Sequence, residues 1–514
     1  MKLTVFEAAF VVWFLALSAA NGNGNGLGSK LENRHDDKGH GHDLGLSDEI
    51  VPYQELGQRV TARDELITEK IEDALFASNR ERRRLLKERA TDDVDTEIPD
   101  RKTIFGKGDR FLSPGPTSDG FEIGTGATWR PYWLVWGQVR SAFQVSRSGP
   151  RPATMAEWAN RLDVLADWYL TATERVHIAF RPLDREGGFT GYTFKGEDEG
   201  WNENFNLQPR SLFFEGEFGE IFPRLDQNDR LSLDYGFSVG RQPISLQEGV
   251  MINDVLDGVG IARNNLFLFG SSSTRLSAFW APGQVHRGDN VRDRKAQLFA
   301  LFTQHDFQKT TIELDGAYVA GGEHAGDGAY LGLAHIRRFG YWNSTLRANG
   351  SWALDEESAA ISDGYLLTHE LSRTMPYNED IVYFNVFYGI GNYTSAARDP
   401  SAGGPLGRMG LLYEAVGLGT LGAALGQDPG ESVGFSLGYQ HFIFGEDADQ
   451  QLIVELGGQS PTSSDSNRAG EIGLGARYQR ALNQHAIFVL DGYVTQDEAG
   501  ESGYGARSEI RLKY

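Results

Sequence analysis

The last ten residues constrain this chain most. Ala506, Ser508, Ile510, Leu512 and Tyr514 alternate there with Arg507, Glu509, Arg511 and Lys513. Successive side chains of a strand point to opposite faces, so the segment sets a small or apolar row against a row of ions. One face needs an apolar medium and the other needs water. The edge strand of a soluble protein also meets that condition, and the rest of the chain must separate the two.

Among 514 residues there are 63 Gly, no Cys and 11% aromatics. No internal stretch reaches the run of about 18 apolar residues that a membrane helix requires, so a helical membrane protein is excluded. Without Cys there are no disulfides, thiolate metal sites, Cys nucleophiles or lipid-modified Cys anchors. A mean hydropathy of -0.40 is compatible with a barrel, in which only alternate strand residues face lipid. The formal charge of -22 excludes nucleic acid as a partner, because phosphate binding needs a basic face.

Residues 1–20 read as a signal peptide. Lys2 precedes an apolar run from Leu3 to Leu17, broken only by Thr4 and Glu7, and Ser18, Ala19 and Ala20 supply a cleavage point. Residues 21–52 form a low-complexity linker of Gly and Asn followed by His35, Asp36, Asp37, His40, His42 and Asp43. These are metal donors without fixed geometry, and no metal or cofactor is assigned to them. Residues 53–100 read as a charged periplasmic helical segment, with Leu56, Val60, Ile67, Ile71 and Leu75 at helical spacing and a basic run from Arg80 to Arg89. A periplasmic partner is expected, if anywhere, on residues 53–89. Residues 101–131 form a linker into the region that starts at Tyr132.

From Tyr132 onward the period is two. Trp133, Val135, Val139 and Phe143 oppose Gln138 and Arg140. Leu231, Leu233, Tyr235, Phe237 and Val239 oppose Ser232, Asp234, Gly236 and Ser238. Val433, Phe435, Leu437 and Tyr439 oppose Gly434, Ser436, Gly438 and Gln440. The connections fall into two lengths: tight turns near 170–175, 305–309 and 480–484, and longer polar stretches at 185–208, 321–328, 395–407 and 457–469. Short turns belong to the periplasm and long loops to the outside. A soluble sandwich would bury its apolar rows against a second layer, and this sequence supplies none. The expected fold is all-β: residues 132–514 as a transmembrane antiparallel β-barrel of about 16–18 strands. Boundaries are indistinct over 249–290 and 408–424, where the glycines of 417–422 mark bulges or a loop folded into the lumen.

Two serine-hydrolase elbow patterns occur, centred on Ser238 and Ser436. Both serines fall in mid-strand with no helix after them, so no catalytic residue is assigned and the chain is not expected to be an enzyme. A barrel of this size encloses an aqueous lumen. Its inward charges would select the solute, and the phase of the strands turns Arg140, Arg161, Asp163, Asp167, His177, Arg181, Glu215, Glu217, Asp234, Glu313, Asp315, Arg347, Glu455, Arg477, Arg507, Glu509 and Arg511 inward. Either these charges form a filter or they neutralise one another as a scaffold.

The closing segment resembles the last strand of outer-membrane β-barrels, whose terminal aromatic residue, here Tyr514, belongs to the signal read by the barrel-assembly machinery. That likeness implies a cell outer-membrane location among lipid and lipopolysaccharide. Gly240, Arg241 and Gln242 at a strand end, with an irregular stretch from Asn253 to Ile261 after them, resemble the alginate-export family of barrels. This implies an outer-membrane porin or exporter of polar or charged solutes, anionic saccharides among them, with Arg241 lining the pore. A structural or docking barrel that holds an electron-transfer or secretion component is the alternative the sequence leaves open.

Overall fold

Eighteen antiparallel strands succeed one another around a closed ring. In the computed structural model the described residues are 103–514 except 109–117, 148–153, 186, 197–198, 226–231, 377, 379, 444–448 and 464–468. The expected signal peptide, low-complexity linker and charged helix, and Leu231, lie outside them. The strands are β1 Tyr132–Arg147, β2 Met155–Tyr169, β3 Arg175–Phe180, β4 Pro209–Glu217, β5 Tyr235–Leu246 and β6 Ile252–Leu266. They continue as β7 Ser273–Ala281, β8 Gln297–Asp306, β9 Thr310–Ala320, β10 Gly328–Phe339, β11 Trp342–Ala353 and β12 Gly364–Thr374. The ring is completed by β13 Ile381–Gly391, β14 Ser432–Ile443, β15 Gln450–Pro461, β16 Glu471–Ala481, β17 Ala486–Asp497 and β18 Ser502–Lys513.

Closure comes from the alternating C-terminal segment. Strand β18 pairs with β1 from Tyr504 opposite Arg147 to Lys513 opposite Gln138, which leaves no free edge. Tyr514 extends the seam: its amide donates to Gly137 O at 2.9 Å and its carbonyl accepts from Gly137 N at 3.0 Å. Along β18 Arg507 and Glu509 point inward and are buried, while Tyr504 and Ile510 are exposed on the outer face. Val259, Ile261, Leu301, Leu314, Leu333 and Leu474 are likewise exposed on the outside. The belt ends in aromatic residues, such as Trp133 stacked on Trp168 at 5.1 Å and Trp352 edge-on to Tyr365 at 5.7 Å. An apolar band between aromatic girdles is the exterior of a membrane barrel.

The wall departs from a plain meander at β3. It stops at Phe180, and Gly188–Lys195 resumes the pairing with β2 further along, from Asn160 opposite Thr190 to Ala156 opposite Lys195. The stretch at 185–208, expected to be a loop, therefore contains wall. Within the linker before β1, Phe105–Gly108 pairs with the first residues of β1, and Phe121–Glu122 pairs with Thr128–Trp129.

The region expected to be irregular between Asn253 and Ile261 is regular strand. A change of face hides its alternation. Val259 and Ile261 turn outward to lipid, whereas Ile252 and Leu256 turn inward and are fully buried. On β5 the change is the same, from outward Val239 to inward Leu246. The apolar row moves to the other face because the β5–β6 hairpin leaves the membrane wall and leans into the lumen.

A lumen divided by a hairpin and a loop

The hairpin tip, residues 247–251, crosses to strands far from its own. Gln247 Nε2 donates to Asp315 Oδ2 on β9 at 2.7 Å. The Glu248 carboxylate meets Arg347 of β11 at 2.6 Å and also pairs with Arg408. Three consecutive left-handed residues form the tip, Gln247 at φ 49°, Glu248 at φ 54° and Gly249 at φ 88°. For two residues with side chains this is a sparsely populated conformation, held by the contacts on either side. Leu246, Met251, Ile252 and Leu256 pack inside the barrel against Phe279, Leu298, Val319 and Tyr330.

The second inward element is the connection between β13 and β14, residues 392–431. Its first part adds to the free upper edge of β6, with Ala397 parallel to Ile252 and Arg398 parallel to Asn253. Arg398 is buried, and burial pushes its guanidinium down to about 10. It is satisfied by Ser395 Oγ at 3.0 Å, Gly403 O at 3.1 Å and the carbonyls of Gly249 and Val250, so it locks the loop to the hairpin tip. Leu406, Met409, Leu412, Tyr413 and Leu425 then pack on Leu366 and Phe387 of the inner wall. The amides of Leu411 and Leu412 donate to the Glu455 carboxylate at 2.7 and 2.8 Å. Glycines on the wall make room for this, since a Cβ on Gly475 would lie 2.8 Å from Leu412.

This loop decides what the inward charges do. Arg140, Arg161 and Gln144 donate to the carbonyls of Val416, Gly417 and Leu418 at 3.2, 3.1 and 3.2 Å. The same side chains are held within the wall: Arg140 pairs with Glu509 at 2.6 Å, and Asp163 pairs with Arg161 and Arg181, each at 2.9 Å. Arg477 lies 2.8 Å from Asp491, Arg507 pairs with Asp491 and Glu509, and Arg511 reaches Glu509 at 2.6 Å. Arg347 is 2% exposed, between Glu248 and Glu370. Most of the arginines expected to line the pore are thus ion-paired on the inner face, and several carry the loop. Asp234, expected among the inward charges, lies at the rim instead. Strand β5 begins only at Tyr235, and the Asp234 side chain is 64% exposed at the periplasmic mouth, 3.5 Å from Arg263.

Two chambers result, one on each side of the hairpin. Beside the interruption of β3 lies a cavity of about 140 Å³, whose lining includes Arg181, Arg185, Arg210, Arg241 and Arg292 against Asp184 and Asp399. Arg241 belongs to the upper face of the leaning hairpin, where it pairs with Asp257 at 2.7 Å. Beneath the hairpin a larger space of about 720 Å³ is lined by Glu215, Glu217, Glu248, Glu313 and Asp315, with Arg275 as its one basic side chain. The upper chamber is basic and the lower acidic.

Glu248, Arg210, Arg398 and Arg408 escape a reading by strand phase, because all four sit on or next to connections. The shift of the apolar row between Val239 and Leu246 is the signal that would reveal the hairpin. Asp254, His286 and Asp399 bring metal-ligating atoms within 4.8 Å of one another, all three buried. Their lone pairs are already committed. His286 Nδ1 lies 2.8 Å from Asp254 Oδ1, His286 Nε2 accepts from Arg292 Nε at 3.2 Å, and Asp399 pairs with Arg210 at 2.7 Å. Burial opposes the charge of Asp399, but Arg210 and Ser401 outweigh it and hold the carboxyl at about 2. The trio fits a structural network better than an ion.

No known sequence family matches the chain, and no curated protein does. Solved structures do. OpdK, an outer-membrane protein from Pseudomonas aeruginosa, aligns with 74% of this chain and 98% of its own at 11% identity and a TM-score of 0.50. OccK2 (OpdF), also from Pseudomonas aeruginosa, aligns with 74% and 98% at 12% identity and a TM-score of 0.50. At such identity the likeness is one of fold, that of an outer-membrane porin barrel.

Proposed function

We propose that the protein is an outer-membrane channel for small polar or charged solutes, and that the basic upper chamber reads an anionic group on the solute. One observation carries the reading: a closed barrel of eighteen strands holds two inward elements, and these leave polar chambers of opposite sign rather than a filled core. OpdK has been solved with vanillate, an aromatic carboxylate, which supports the sign proposed here. The anionic-saccharide expectation rests on Gly240, Arg241 and Gln242, and it is supported by the place of Arg241 beside the basic chamber. Hairpin and loop together favour sugars of monomer size over a polymer.

Ion selectivity tests this. Under a salt gradient across a planar bilayer, the reversal potential is expected to show anion preference, reduced by Arg241→Gln together with Arg210→Gln. A cation preference unaffected by these changes would transfer selection to the acidic lower chamber.

A further inference from the structure

A basic cluster on the lipid-facing wall has no part in the channel. On β10 His335 and Arg337 share the outward row with exposed Leu331, Leu333 and Phe339. The outward row of β11 includes Trp342, Ser344 and Leu346, and that of β12 includes Tyr365, His369 and Arg373. Register sets Arg337 opposite Ser344 and Trp342 opposite Arg373. Ser344 Oγ lies 2.8 Å from His369 Nε2, and both residues are buried. The Arg373 guanidinium lies 5.3 Å from the centre of the Trp342 ring. All of this flanks the short turn at Gly340 and Tyr341, and therefore the periplasmic rim.

Three other outward basic side chains at this rim have carboxylate partners. Arg263 has Asp234 at 3.5 Å, Arg480 has Asp449 at 3.4 Å and His441 has Asp380 at 2.9 Å. Arg337 and Arg373 have none among the described residues, and the Nε atom of each is buried without a hydrogen-bond acceptor. Guanidiniums without an anionic partner beside lipid cost free energy that an anion at the interface would recover.

We propose that Arg337 and Arg373 bind the phosphodiester of an anionic phospholipid in the periplasmic leaflet. The planar fork of arginine matches phosphate oxygens, and Trp342 sits at headgroup depth with Arg373 on its face. A lipid is favoured over free phosphate because the same strands continue above the cluster as the exposed apolar surface of Leu331, Leu333 and Tyr365, along which acyl chains lie.

The test uses the whole folded protein in detergent, with retained lipid counted by native mass spectrometry after exposure to phosphatidylglycerol or phosphatidylcholine. The expected result is a preference for phosphatidylglycerol that falls about tenfold in Arg337→Gln/Arg373→Gln, the loss of two charge-assisted contacts, and persists in Arg263→Gln. Heat-modifiable gel mobility verifies that each variant is folded. Unchanged retention in the folded double variant would overturn the proposal. Should that variant not fold, the native protein decides, because equal retention of the two lipids also overturns it. Inorganic phosphate is expected not to displace the lipid, and displacement would assign the cluster to a free anion instead.

Discussion

At Glu248 one carboxylate answers two guanidiniums, Arg347 from the wall and Arg408 from the loop. Glu248→Gln removes both ion pairs while preserving shape. Arg347 keeps Glu370, and Glu248 is partly exposed, so the expected loss of stability is modest, about 1–2 kcal/mol. The larger effect is expected in single-channel recordings, as a higher and noisier conductance from a released tip. An unchanged trace would show that the tip is held by its apolar packing alone. Asp399 makes a prediction about pH. Its carboxyl is depressed from the ordinary 3.8 to about 2, so its tether to Arg210 is intact above the ordinary value and is lost as pH falls toward the lower one. Conductance should be flat from about pH 5 to about pH 8 and should become unsteady only in stronger acid. In Arg210→Gln the ion pair is absent at every pH, so unsteady conductance is expected throughout, and a trace as quiet as the native one near neutral pH would remove Asp399 from the tether.

Among the elements, the wall strands were legible in sequence and the inward ones were not. The rows through Val433 to Tyr439 and Ala506 to Tyr514 alternate cleanly because lipid lies on one side and polar lumen on the other. The β5–β6 hairpin has two environments along its length, lipid and then an internal apolar cluster, and its apolar row changes face accordingly. The loop at 392–431 has no period, since its anchors are main-chain carbonyls received by Arg140, Arg161 and Gln144. Only its glycines hinted at close approach. Gly419 shows why: at φ +71° it passes so near the wall that a Cβ would come within 1.9 Å of Gln144 Nε2 and 2.5 Å of Glu157 Oε1. Gly419→Ala should detach this part of the loop at a cost of about 1–3 kcal/mol, measurable as a lowered unfolding midpoint. Retention of the native midpoint would mean that the loop does not need this contact.

For the whole molecule, strand count, closure and orientation come from period and turn length, and the expected range of strands includes the number found. Pore character did not emerge from them. Phase alone turns Arg507 and Glu509 inward, but only the structure shows them buried in ion pairs with Asp491 and Arg140 and leaves the accessible charge to Arg210, Arg241 and the acidic lower chamber. A barrel whose own hairpin and loop set the aperture must conduct more when the loop is removed. The most direct measurement compares single-channel conductance of the native protein with that of a variant in which residues 404–426 are replaced by a short Gly–Ser bridge. A small, stable conductance in the native protein that rises several-fold in the variant is the predicted result. Silence in both, from protein verified as folded and inserted, would contradict it.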